Sequence, residues 1–297
     1  MAVKPVFEPF ASRPNDQAKR KPFVQGHTML RDQFSIATWL SFGAVLQAGA
    51  YALLPYRNIV TVLPILLFLF YKAGYTACTT LGFLPNPRMA NVVPGRVTPI
   101  YPDEKGEQSK ASDTEMCAIL LGVISNHPLG MVGPGFKEVG DAFDNMITQL
   151  ADDATRYGYL GHSSWLNASD NTTSSEFLTI VYFENEHYLH EYAHGPMHSE
   201  TMQWWSKVVK DIPHVGISHE AFSCPKQSWE GIYINYPPVG LGATSKQVTG
   251  PDGKKSWVNP LVKIGGNLSH SKGRLGRAYG ENEWDALDSL KGNKSIY

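Results

Sequence analysis

Cysteine is scarce: Cys78, Cys117 and Cys224 are the three in 297 residues, and no two share a paired spacing. That excludes a disulfide framework and a cysteine-based zinc site, and the three read as reduced thiols in a cytosol-facing protein. An excess of charge is lacking as well. With 26 Lys+Arg against 27 Asp+Glu, there is no electrostatic footprint for nucleic acid. Neither a GxGxxG turn nor a P-loop occurs, which fits a protein without a dinucleotide or nucleotide site.

What the chain does have is a long apolar stretch near its start. Phe34 to Leu54 is 21 residues without a charge, the length of a bilayer-spanning helix. Pro55-Tyr-Arg-Asn makes a turn, and a second apolar helix is expected over 59–78, with Lys72 close enough to its end to snorkel; a re-entrant or interfacial segment is the alternative. The run starts too late and is too long for a cleavable signal peptide. Lys4, Arg13, Lys19, Arg20, Lys21 and Arg31 precede it, Arg88 and Arg96 follow it, and the turn holds Arg57 alone. The positive-inside rule therefore predicts a hairpin anchor over 34–80, with the basic polar tail (1–33) and the soluble domain both in the cytosol. The expected membrane is the endoplasmic reticulum. Four Asn-x-Ser/Thr sequons, at Asn167, Asn171, Asn267 and Asn293, would matter only in a lumen.

Residues 81–245 carry the domain. A Pro-rich linker leads to Met116–Ile124, a continuous apolar run that reads as a buried strand. Val139, Phe143, Met146, Ile147, Leu150, Ala154 and Tyr157 then form one helical stripe. Tyr157–Leu166 and Phe177–Phe183 make a hairpin, helical stretches follow over Glu184–His194 and Pro196–Ile212, and His214–Phe222 is a fourth strand. The order β-α-β-β-α-β is the ferredoxin-like split motif, an antiparallel sheet with two helices on one face, so the fold class is α+β. Trp229–Tyr236 adds a possible fifth strand. Residues 246–297 show no sustained period and are expected to be mostly irregular.

The histidines are the chemical candidates. His190, His194 and His198 are spaced by four, but Gly195-Pro196 interrupts the helix, so no shared metal face and no metal are expected. In a strand, His219 shares a face with Val215, Ile217 and Ala221, either as a core residue or as one projecting into an apolar pocket. His214 lies on the opposite face, beside Pro213. Trp204 and Trp205 either line an apolar pocket or fill the core.

The stretch AHGPMHSETMQWWSKVVKDIPHVGISHEAFSCPKQSWEGIYINYPPVGLG, residues 193–242, closely resembles the fungal monooxygenase family typified by the fumagillin-cluster monooxygenase. The resemblance runs from about Leu81 to Thr244. Its sharpest parts are His-x-x-x-His with Trp-Trp, His-x-Gly-Ile-x-His-Glu, and Ile-Tyr-x-Asn-x-Pro-Pro-x-Gly-Leu-Gly. It implies the dimeric α/β barrel of the antibiotic-biosynthesis monooxygenases, a homodimer, and an enzyme that oxidises a lipophilic intermediate of fungal secondary metabolism with O₂. The match covers His194 and His198, which with His219 form the expected catalytic set; Trp204, Trp205, Asn235 and Tyr236 are the expected substrate contacts. A substrate that forms a stabilised carbanion can reduce O₂ itself, so histidine would serve as base and no organic cofactor is expected. A haem-dependent enzyme, a non-oxidative isomerase, cyclase or dehydratase of the same fold, and a membrane-attached binding protein without chemistry stay open.

Overall fold

A computed structural model describes residues 3–14, 31, 33–167, 176–250 and 252–277. Sequons Asn171 and Asn293 and the end of the expected irregular tail lie outside them.

Two helices come first, α1 (Ile36–Leu53) and α2 (Arg57–Thr80), each long and apolar enough to cross a membrane. Ser35 caps α1 by accepting from the Thr38 amide at 3.2 Å. At 1.5 Å per residue they are about 27 Å and about 36 Å long. Of both helices only Thr61 is buried, and its carbonyl accepts from the Gln47 side chain at 2.7 Å across the hairpin. Their large apolar side chains otherwise point away from protein.

The soluble part is built on a four-stranded antiparallel sheet of β2 (Met116–Ser125), β3 (Tyr159–Leu166), β4 (Glu176–Phe183) and β5 (Val215–Cys224), in the order β3-β4-β2-β5. Helix α3 (Phe136–Asp152) links β2 to β3; α4 (Glu186–Ala193) and α5 (Pro196–Val208) link β4 to β5. This is the ferredoxin-like order that the hydrophobic pattern predicts. The linker region adds β1 (Val93–Pro99), which pairs with β6 (Tyr233–Tyr236) and β9 (Leu261–Lys263) in a second sheet. The expected fifth strand thus joins β1 rather than the main sheet. Beyond Gly240, where no period is visible, β7 (Lys246–Thr249) and β8 (Lys255–Val258) form a hairpin, and a short helix α6 (Ser271–Arg274) follows β9. Three- and four-residue strands are too short to leave a periodic signature.

The main core lies under the helices. Cys117, Val181 and Phe183 from the sheet meet Ile147 and Leu150 of α3 and Tyr192 of α4. Burying a side chain such as Phe183 contributes about 1.5–3 kcal/mol. On the opposite face, Tyr101, Trp229 and Leu241 cover only the end of the sheet near Met116 and Tyr182. Trp165 and Phe222, on that same face, stay 43% and 50% exposed.

The N-terminal segment is part of this body. Pro5 bridges Val262 and Phe10 bridges Trp257, and Val6 N–H donates to the Leu261 carbonyl at 2.9 Å. Arg13 then stacks its guanidinium on Tyr159 and Trp257. Residues 3–14 therefore run as a strap along β9 and β8.

Candidate active site

Strand β5 is an edge of the main sheet, paired with β2 alone. Its residues Ile217, His219 and Ala221 stand opposite Val123, Leu121 and Ile119, which pack toward the helices. His219 is thus on the helix-covered face and shares it with apolar side chains, as strand alternation predicts. It is not enclosed, however: among the described residues β5 has no neighbour on its outer side, and His219 is exposed in the single chain. In one copy it is therefore not a core residue.

Helix α5 carries a second histidine. Gly195 precedes α5 and Pro196 occupies its first turn, where a missing N–H costs nothing. His198 follows two residues later, half-buried, with its ring 6.1 Å from Tyr192. Burial holds the His198 pKa below its ordinary value, and the charges of His194 and His219 push the same way against a hydrogen bond with the Ala193 backbone. His198 is therefore neutral, and basic, at pH 7. His194 closes α4 and donates from Nδ1 to the His190 carbonyl at 2.8 Å, because a carbonyl can only accept. Its Nε2 is then the basic nitrogen.

The remaining expected residues divide. Trp204 and Trp205, 6.5 Å apart on α5, pack on a cluster of Phe136, Val139, Ile212 and Val215, which is the core-filling alternative. Asn235 and Tyr236 sit on β6 in the second sheet, away from the main sheet that carries His219. Asn235 has a left-handed φ of 48° and accepts from the Gly95 amide at 2.8 Å; Tyr236 pairs with Val93. The structure does not bring them to the histidines. His214 holds a loop by donating from Nε2 to the Pro134 carbonyl at 2.8 Å.

One sequence feature goes beyond the expected set. His190-Glu191-Tyr192-Ala193-His194 has the spelling of a zinc-binding helix motif, two histidines four apart with a glutamate after the first. The two rings are 6.2 Å apart, but among the described residues no group of three His, Cys, Asp or Glu is placed to hold a metal. Tyr192, between them, is buried and donates to the Met146 carbonyl at 3.2 Å; burial raises its pKa. Spacing alone gives no sign that it would floor the histidine cluster.

Cavities among the described residues lie elsewhere. A groove of about 420 Å³ between α3 and α5 is lined by Glu138, Asp141 and Glu200 besides Met197 and Trp204. A cleft of about 230 Å³ lies beside Tyr101 and the Lys246–Glu184 ion pair of 2.8 Å.

An antiparallel sheet of ferredoxin-like order, with His219 on its edge strand, can be placed by comparison. The family described as Monooxygenase af470-like matches residues 116–241. Monooxygenase af470 of Aspergillus fumigatus is 31% identical over 254 residues, spanning 84% of this chain and 90% of that protein. The chain belongs to the Monooxygenase af470-like family. Among solved structures, an aldoxime dehydratase shares 12% identity at TM-score 0.31, covering 48% of this chain and 36% of its own. SnoaB, a cofactor-independent oxygenase from Streptomyces nogalater, shares 12% at TM-score 0.22, covering 37% of this chain and 91% of its own.

Proposed function

We propose that this chain is a membrane-anchored monooxygenase that oxidises a lipophilic intermediate of fungal secondary metabolism, with His219 and His198 as its working bases. The observation that carries the reading is His219 standing among apolar side chains on the helix-covered face of the edge strand β5, in a chain of a monooxygenase family, with the half-buried His198 on α5 held neutral by burial. A neutral imidazole there can take a proton from a methylene flanked by carbonyl or aromatic groups. The carbanion passes one electron to O₂, and radical and superoxide join in a new C–O bond. Loss of water from the hydroperoxide leaves a ketone, so CH₂ and O₂ become C=O and H₂O. No organic cofactor enters that balance. His194, with its Nδ1 bound to backbone, would tune His198 by charge.

The exposure of Trp165, Phe222 and their neighbours supports a homodimer in which the uncovered sheet face meets a second copy. The strap supports the hairpin: residues 3–14 touch β8 and β9, so tail and domain lie on one side of any membrane that α1 and α2 cross. The basic flanks make that side the cytosol, and the endoplasmic reticulum is the membrane proposed.

Metabolite profiling of a strain lacking the gene tests the activity. Accumulation of a precursor two hydrogens richer and one oxygen poorer than the missing product is expected; an unchanged profile would overturn it. An absorbance spectrum of the purified chain with a Soret band would replace the cofactor-free route by the haem-dependent one. Glycans on the exposed Asn167 or Asn267 would overturn the topology.

A further inference from the structure

The loop between β2 and α3 has a feature that the oxidation chemistry does not use. From Asn126 to Phe136 it carries no Asp, Glu, Lys or Arg. Within it, Leu129 and Val132 are 55% and 57% exposed, one on each side of the buried Gly130. The same loop grips the chain just before α1. Gln33, three residues ahead of Ile36, is 4% exposed and accepts from the Met131 amide at 2.9 Å. Gly130, at φ +54°, has no side chain because a Cβ there would collide with the Gln33 amide. The loop is therefore fixed beside the point where the chain enters its first apolar helix. Phe34, Trp39 and Phe42 cluster at that point, with rings 5.6–6.2 Å apart, and the Trp39 indole donates to the Arg31 carbonyl at 2.9 Å. Tryptophan with a satisfied N–H at the start of an apolar helix marks the headgroup level of a bilayer.

We infer that the Pro128–Pro134 loop docks on the bilayer that holds α1 and α2, with Leu129 and Val132 entering the boundary between headgroups and acyl chains. The inference rests on the anchor reading and adds an orientation to it. Met131 and Val215 share one apolar cluster, so the start of β5 lies at the membrane end of the domain. His219 is four residues further on, about 13 Å along the strand. Exposed Ile217 and half-buried Trp204 and Trp205 lie at that end of the domain. A lipophilic substrate leaving the bilayer there would meet apolar side chains before it met the histidines.

The test uses the full chain reconstituted in phosphatidylcholine vesicles, with a fluorescent amino acid replacing Leu129, Val132, Leu46 or Lys254 in turn. Spin-labelled lipids report depth. Probes at 129 and 132 should be quenched several-fold more by labels near the headgroup than the probe at 254, and the probe at 46 most by labels at the bilayer centre. Quenching at 129 and 132 no stronger than at 254, with the probe at 46 still buried, would overturn the docking and leave the anchor standing. Loss of quenching at 46 as well would overturn the anchor, and the docking with it. A protein partner on the loop would appear as protection without lipid quenching, and would also overturn it.

Discussion

Arg13 and Tyr159 are joined twice: the guanidinium carbon lies 4.3 Å from the ring centroid, and Nη2 donates to the Tyr159 carbonyl at 3.1 Å. Tyr159 opens β3, so the contact fastens the N-terminal strap to the main sheet, while Trp257 on β8 flanks the same guanidinium at 5.0 Å. Replacement by alanine removes a stacked cation and a backbone hydrogen bond, each worth about 1 kcal/mol. Arg13→Ala should lower the thermal midpoint by several degrees and make residues 3–14 accessible to protease. An unchanged midpoint and unchanged cleavage would show that the strap adds nothing to stability.

His219→Gln keeps the hydrogen-bonding shape and removes the basicity. Turnover should fall by roughly 100-fold to 10,000-fold, as general-base losses do. Because His219 is exposed and outside the core clusters, unfolding should barely move. Full turnover by the folded variant would reject the role and shift it to His198 and His194.

The pH dependence follows from His198, whose folded pKa lies below that of the unfolded chain, about 6.5. Above that value the side chain is neutral in both states and costs nothing. As pH falls from about 6.5 toward the folded value, the unfolded chain takes up the proton first, so stability falls with it. Activity that needs neutral His198 should fall on the same acid side and be flat at neutral pH. In a nitrogen-detected NMR titration, His219→Gln should raise the His198 midpoint by removing one of two opposing charges. A midpoint that stays put would mean that the two rings do not sense each other.

The open sheet face sets the assembly. Trp165 and Phe222 project from it, and a second copy would cover both. The full chain in mild detergent should have the mass of a dimer by light scattering, and Phe222→Asp should convert it to monomer without loss of helix signal. A monomeric parent chain would remove this face from the interface.

Much of the main sheet was legible because its strands are long. Ten apolar-patterned residues in β2 and ten in β5 declare both the element and, through alternation, the face that His219 takes. Of the second sheet only β6 was legible, since β9 has three residues and β1 begins Val93-Pro94-Gly95, a spelling that reads as linker. Exposure of His219 was hidden for another reason. Alternation gives the face of a strand but not its place in the sheet, and only the edge position of β5 leaves the imidazole open. The Trp204–Trp205 pair shows the reverse limit, because aromatic content suits a pocket and a core equally well. Asn235 needed its backbone: a left-handed asparagine bound to the Gly95 amide is a strand irregularity, which side-chain type does not announce.

The strap also orders events in time. Pro5 pairs with Val262, a partner made 257 positions later in synthesis. The early segment has nothing to pair with until nearly the whole chain has emerged, and contacts so distant along the chain are slow to close. On the proposed anchor, α1 and α2 can insert into a bilayer before β9 exists to receive residues 3–14. Closing the strap therefore waits for Leu261 and Val262, and a nascent chain stalled before them would leave Pro5 and Val6 without their partners.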